Sequence, residues 1–234
     1  MQGLLGNYSD LLALFGDAGY EYSFFTDTVE KNLQLILRHD IDFSLVEANK
    51  ISMIEDALGI KSTYFILLRS NFYNILSKEN LSIIHSLKAR GHQIGIHFDS
   101  SLYGGESLSE GLDFEINLFR HLFDEPVEII APHRPDQVFL ENTVSLDGIQ
   151  HTYDPKFFKD INYIADSTGR FRYEKPQDFI DLGSKQSLQL NLHPIWWSGL
   201  PGNSPLQVIY SFLQAKKSRL DFSMEKNFTG YESQ

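Results

Sequence analysis

One short pattern recurs along this chain: a run of apolar residues, a polar tip, then an amphipathic helix that stops at glycine. Residues 33–40 read as a buried strand. A helix follows from about Ser44 to Leu58, with Leu45, Ala48, Ile51, Ile54 and Leu58 at helical spacing and Gly59 as its stop. Lys61 to Leu68 is the next strand, and Glu79 to Arg90 the next helix, with Leu81, Ile84 and Leu87 inside and Gly91 closing it. Gln93 to His97 is a third strand. Glu106 to Phe123 is a helix whose inner side carries Leu112, Ile116, Phe119 and Phe123, and Val127 to Ala131 is a fourth strand. Strands joined through helices by short connections run parallel, with the helices packed outside. The spacing also predicts short strands at Tyr163–Ala165 and Leu188–Leu192, and an opening helix from Ser9 to Ala18. A last helix starts with Ser204 as N-cap and Pro205 at the first helical position and runs to about Leu220. The tail after Phe222 reads as polar and frayed. Tyr20 to Asp27 is aromatic-rich and is expected across the bottom or side of the domain. Residues 136–179 have poor periodicity and read as a long excursion with substrate-facing loops. With no repeat, low-complexity tract or linker, residues 1–234 are expected to form one α/β domain.

Composition narrows the function. A 234-residue chain that is 42% hydrophobic and 13% aromatic can bury a sizeable core. A formal charge of -11 argues against nucleic acid and against an anionic membrane surface as partners. There are no cysteines, so there is no disulfide framework and no thiolate ligand or nucleophile. Any metal must be held by His, carboxylate or water. No apolar run is long enough to cross a bilayer. The segment Met1-Gln2-Gly3-Leu4-Leu5-Gly6 lacks the basic start and apolar core of a signal peptide, so the expected compartment is the cytoplasm.

The chemistry-bearing residues sit at strand ends. Asp40 and Asp42 end the first strand. Residues two apart in an extended backbone share a side, so the two carboxylates project together while His39 and Ile41 face away. Side-by-side carboxylates call for a metal or an Arg; otherwise one caps the next helix and the other is a solvated loop acid. His97 ends another strand, His133 and Arg134 follow a third, Asp166 follows a short one, and His193 ends the Leu188–Leu192 strand. In parallel α/β architectures the site collects at the carboxyl ends of the strands.

Several of these stretches resemble the polysaccharide deacetylases of the NodB-homology type, carbohydrate esterase family 4. Arg38-His39-Asp40-Ile41-Asp42 resembles the first motif, in a variant with one residue between the acids, and Ser62-Thr63-Tyr64-Phe65 resembles the strand after it. Gly91-His92-Gln93-Ile94-Gly95-Ile96-His97 resembles the second motif, His133-Arg134-Pro135 the third, Asp166-Ser167 the fourth and Leu192-His193-Pro194 the fifth. The likeness covers about residues 33–197 and is nearest to an unusual bacterial branch associated with surface-glycan loci. It implies a single-domain distorted (β/α)7 barrel and one divalent metal: zinc by preference, with manganese, cobalt, nickel or iron also suited to His and carboxylate. By position it implies Asp42 and His97 as metal ligands and Asp40 as the general base. It implies Arg134 as the partner that keeps Asp40 ionised, His193 as the general acid, and Asp166 as a residue that orients a neighbouring polar group. The backbone N–H of Asp136 is the expected oxyanion donor beside the metal.

One position departs from the pattern. Where the family places a second metal histidine, four residues after the first, this chain has Ser101. His133 is the preferred replacement, because imidazole restores the missing ligand type, and Asp99 is the alternative. His39 reads as a packed, hydrogen-bonded core histidine, His92 as a capping one, and His85 and His121 as partly exposed on helices. His151 falls in the unpatterned segment. Trp196 and Trp197 either stack on a sugar face or pack under the last helix. Tyr103, with Gly104-Gly105, lies on a loop that could cover a substrate. The leading expectation is a hydrolase that removes an N-acyl group, acetyl first, from an amino sugar or glycan precursor. The rivals are a hydrolase of a small non-sugar amide or cyclic imide, and a degenerate sugar-binding protein without catalysis.

Overall fold

The computed structural model describes residues 5–27, 32–103, 108–134, 137–141, 148–199 and 202–232. Eight strands form one sheet, and every strand pair in it is parallel. They are β1 (Glu21–Ser23), β2 (Gln34–Ile41), β3 (Thr63–Ile66), β4 (Gln93–Phe98), β5 (Ile129–Pro132), β6 (Gln150–His151), β7 (Asn162–Ala165) and β8 (Leu188–Leu192). The order β6-β5-β4-β3-β2-β8-β7 is sequential around a circle, with β8 closing onto β2 and the seam between β6 and β7 unpaired among the described residues. This is the distorted (β/α)7 barrel, with β1 as a short eighth strand beside the start of β2.

Helices α1 (Tyr8–Asp17), α2 (Leu45–Ala57), α3 (Lys78–Ala89), α4 (Leu108–Phe123), α5 (Gln137–Leu140), α6 (Pro155–Phe158), α7 (Pro176–Asp181) and α8 (Pro205–Asn227) complete the order. Local chemistry sets their starts. Asn7, Ser44, Ser77 and Ser204 each cap a helix by accepting a backbone N–H two or three residues on. The first four strands and the helices between them fall where the periodicity puts them. The 136–179 excursion holds β7, the short strand expected at Tyr163–Ala165, together with β6, α5, α6 and the start of α7, which are too brief for a periodic signal. The last helix continues to Asn227 rather than stopping near Leu220, so the first five residues of the tail expected to fray are helical.

The strand alternation sorts the interior into two layers. Leu35, Leu37 and Ile41 face outward into the large cluster between sheet and helices. Ile36 faces the lumen with Phe25, Phe65, Ile129, Ala131, Phe157 and Ile161. Phe25, from the aromatic-rich segment, is fully buried there against Phe65 and Phe157 and plugs the lumen. Gly95 of β4 lets Phe65 lie across that strand: a Cβ there would meet the Phe65 ring at 2.6 Å and the Ile129 carbonyl at 2.8 Å. Above this apolar floor the lumen turns polar, and that change positions the site.

His39, on the outer side of β2, is fully buried and bonds Glu55 of α2 through Nε2 at 2.6 Å. Glu55 also accepts from Tyr64 at 2.7 Å, from Ser62 at 2.8 Å and from Tyr8. This is the hydrogen-bonded core histidine that the alternation predicts, and it ties α1 and α2 to β2 and β3.

Candidate metal centre

Arg38, Asp40 and Asp42 follow one another along the lumen side of β2. Arg38 is buried, yet each of its three side-chain nitrogens has a partner. Nε and one terminal nitrogen bond the two oxygens of Asp40, both at 2.8 Å. The other terminal nitrogen bonds Thr152 Oγ1 at 2.9 Å and Gln189 Oε1 at 3.1 Å, joining β2 to β8 and to the chain after β6, across the open seam. Asn191 Nδ2 adds a third bond to Asp40, at 3.1 Å to Oδ2. Burial opposes a charge on Asp40, but the Arg38 guanidinium holds its carboxyl well below the usual carboxylate range.

This corrects one assignment. Arg134 was expected to pair with Asp40; it is exposed, and Arg38 fills that place. The reason is geometric. Residue 38 is two before 40 on a strand, so its side chain rises on the same side, and a bidentate fork closes between them. The same period-2 rule that pairs Asp40 with Asp42 also points to Arg38.

Asp42 lies just beyond β2, His97 near the end of β4 and His133 directly after β5. His97 Nε2 is 3.1 Å from Asp42 Oδ1, and His133 Nε2 is 3.6 Å from the same oxygen. The outward nitrogens are already committed: His97 Nδ1 to the Ala131 carbonyl at 2.9 Å, and His133 Nδ1 to Asp99 Oδ2 at 3.1 Å. An imidazole that donates through Nδ1 presents a lone pair at Nε2. Two such nitrogens therefore face one carboxylate oxygen, and among the described residues the buried Nε2 of His97 and Oδ1 of Asp42 have no hydrogen-bond partner. Acceptors gathered this way suit a cation between them. Asp42, His97 and His133 form a candidate metal-holding group whose ligand atoms all lie within 4.8 Å of one another. Two imidazoles anchored through their outer nitrogens, plus one carboxylate, suit a divalent ion that keeps coordination positions open.

Ser101 and Asp99 take outer places. Asp99 caps a short 3-10 turn over Ser100–Leu102, accepting from Ser101 N at 3.1 Å and Ser101 Oγ at 2.6 Å, while its other oxygen holds His133. The serine that replaces the expected ligand thus steadies the acid that orients the substitute ligand.

Across the cluster, His193 follows β8 and sets Nε2 3.7 Å from Asp42 Oδ2. Its Nδ1 bonds Asp166 Oδ1 at 2.6 Å, and its backbone N–H reaches the same carboxylate at 3.0 Å. Trp197 Nε1 fills the rest of Asp166, at 2.6 Å to Oδ2. Asp166 is fully buried, so this is a fixed clamp on the imidazole. Burial opposes charge on His193, but Asp166, with Asp42 and Asp40 behind it, lifts its pKa to about 9. Trp197 therefore packs and locks, while Trp196 is the partly exposed member of the pair. His151, unplaced in the sequence, is buried beside Asp154, with Nε2 at 3.0 Å, and stands apart from the metal group. The expected Asp136 amide and the Gly104-Gly105 turn lie outside the described residues. Arg38, Asn191 and Thr152 are the polar site residues that the sequence reading left without a role.

No protein-family model matches the chain, and no curated protein is similar to it in sequence. Solved structures similar to it include the chitin deacetylase from the fungal pathogen Colletotrichum lindemuthianum, at 16% identity and TM-score 0.49 over 80% of this chain and 85% of that one. A family 4 carbohydrate esterase from Bacillus anthracis is similar at 17% identity and TM-score 0.47, over 89% and 86%. BA3943, a CE4 family pseudoenzyme from Bacillus anthracis, is similar at 12% identity and TM-score 0.42, over 79% and 60%. These belong to the family whose motifs the sequence resembles, but at such identities no residue role passes from them to this chain.

Proposed function

We propose that the chain is a metal-dependent hydrolase that removes an N-acyl group, acetyl first, from an amino sugar or glycan precursor. The observation that carries this is the convergence of two anchored imidazole lone pairs on Asp42 Oδ1, with a buried acid on one flank and a clamped imidazole on the other. When bound, the divalent ion would polarise the amide carbonyl and bring the pKa of an attacking water down toward 7. Asp42, His97 and His133 would hold it. Asp40, kept ionised by Arg38, is the acceptor for the water's proton at Oδ2, the oxygen nearer His97, at 3.8 Å. His193 is the donor. Asp166 commits Nδ1, leaving Nε2 turned toward the metal group, and its raised pKa keeps it protonated at neutral pH, ready for the leaving amine. One group held far below neutrality and one held above it make an acid–base pair with separate roles.

The test is acyl release from a panel of N-acetyl amino sugars and sugar-carrier conjugates, set against small amides and cyclic imides, with the protein loaded with zinc, manganese, cobalt, nickel or iron(II). Turnover on the sugars, lost by at least ~100-fold in Asp40→Asn with metal content unchanged, supports the proposal. Turnover confined to small amides or imides assigns that substrate class instead. Full metal loading with sugar binding and no turnover on any substrate assigns a binding protein.

A further inference from the structure

The last helix has a face that none of the described residues covers. α8 is 23 residues long and none of them is buried. Its first three turns dock sideways. Val208, Ile209, Phe212 and Lys216 are half-buried; Phe212 packs on Phe43 and Phe72 with ring centroids 5.9 and 6.0 Å away, and Lys216 bonds the Phe72 carbonyl. Beyond Lys216 the helix runs clear of the barrel, tied to it by the exposed Arg219–Glu79 pair at 3.5 Å. An eleven-residue helical extension is marginal in water without tertiary support.

A second stripe lies about a quarter-turn from the docking face. It comprises Leu206, Tyr210, Leu213, Lys217, Leu220 and Met224, separated by steps of 4, 3, 4, 3 and 4. This is the seam spacing of a coiled coil. Its apolar members are 67%, 64%, 47%, 61% and 45% exposed, and the Lys217 side chain is 52% exposed. With Phe228 at 58%, these fractions correspond to roughly 800 Å² per chain, the amount a standard specific interface takes from each partner.

We propose that α8 pairs, antiparallel, with α8 of a second copy of this chain through this stripe. The stripe is complementary to its own reverse. Centred between the two ends, the antiparallel register sets Leu206 against Met224 of the second copy, Tyr210 against Leu220 and Leu213 against Lys217, so every layer contains a leucine and the lysine stem lies along one. A parallel pairing in register would stack Lys217 on its own copy, two like charges in the centre of the seam. The chain's net charge of -11 disfavours an anionic bilayer as occupant, although Lys216, Lys217, Arg219 and Lys226 outnumber Asp221 and Glu225 on the helix itself.

Sedimentation velocity on the full chain from 1 to 200 µM (about the range for an interface of this size) should show a concentration-dependent rise from 26.9 kDa to twice that mass. Leu213→Glu/Leu220→Glu should remain at the monomer mass throughout, with the barrel's cooperative melting transition retained and at most the helical signal of the eleven-residue extension lost, since both side chains are exposed. The chain has no cysteines, so Leu213→Cys/Lys217→Cys should oxidise to an interchain disulfide dimer faster than either single variant. A wild-type monomer at every concentration, or a dimer that persists in the double-glutamate variant, overturns the pairing. Crosslinking by Leu213→Cys alone as fast as by the pair overturns the antiparallel register. A monomer that co-sediments with phosphatidylglycerol vesicles assigns the stripe to a bilayer and overturns the second copy as its occupant. None of these readouts depends on metal or activity.

Discussion

Arg38→Gln separates the two arginines that compete for the role of Asp40's partner. The substitution removes both 2.8 Å bonds to the carboxylate and leaves Asn191 at 3.1 Å as the remaining neighbour. Breaking a buried pair by deleting one member costs about 3–5 kcal/mol, because an uncompensated charge is left inside. A domain with roughly 5–15 kcal/mol of stability survives that, so the loss is measurable by urea unfolding followed through Trp196 and Trp197. The pH dependence has a defined sign. In the wild type the Asp40 pKa is depressed, so its contribution is complete above the unfolded carboxylate value near 4 and is lost only as pH falls through the folded value. In the variant, burial without the guanidinium raises that pKa, so the penalty is full at pH 8 and shrinks at pH 5 as the carboxyl takes a proton. Arg134→Gln, at an exposed position, should change stability by no more than about 0.5 kcal/mol at either pH. The reasoning is refuted if Arg134→Gln costs as much as Arg38→Gln, or if the Arg38 deficit is below about 1 kcal/mol and flat with pH.

Glu115 of α4 is buried; Tyr103 bonds one oxygen at 2.8 Å and the other has no partner among the described residues. Burial raises its pKa to about 7, so the unfolded chain releases a proton between about pH 4.5 and 7 that the folded chain keeps, and stability falls across that window. Glu115→Gln should therefore match the wild type at pH 5 and exceed it by roughly 2–3 kcal/mol at pH 8, at about 1.36 kcal/mol per pKa unit; equal slopes in parallel urea titrations would remove the buried-acid account. Gly95→Ala places a methyl 2.6 Å from the Phe65 ring and 2.8 Å from a backbone carbonyl, and should lower stability by about 1–3 kcal/mol, read as a melting shift of several degrees. A neutral result would mean that the lumen is looser than it looks.

The sequence carried the site further than it carried the chain around it. Period-2 alternation alone puts Asp40 and Asp42 on one side and His39 on the other, and strand-end placement singles out His97, His133, Asp166 and His193. Those side chains do meet, although they come from strands as much as 150 residues apart. The choice of His133 over Asp99 rested on ligand type and agrees with the geometry: His133 reaches Asp42, while Asp99 holds its far nitrogen. The motif points to Arg134, whereas period-2 spacing puts Arg38 on the Asp40 side of β2; only its further partners, Thr152 and Gln189, over 100 residues distant, leave no local signal. β6 is two residues long and could not be seen by periodicity. The far end of α8 reads as a solvated tail because Leu220, Phe222 and Met224 alternate with polar residues and only Met224 among them lies past Phe222.

The central claim is that Asp42, His97 and His133 together hold a cation, with Ser101 outside the ligand set. Equilibrium dialysis against zinc with elemental analysis, on the wild type, Ser101→Ala and His133→Ala, tests it most directly. One equivalent of metal in the wild type and in Ser101→Ala, with affinity lowered in His133→Ala by more than the ~10–100-fold typical of losing an outer partner, is the expected result. A wild type that takes up no metal at saturating zinc, or a Ser101→Ala protein that loses it while His133→Ala retains it, would contradict the account.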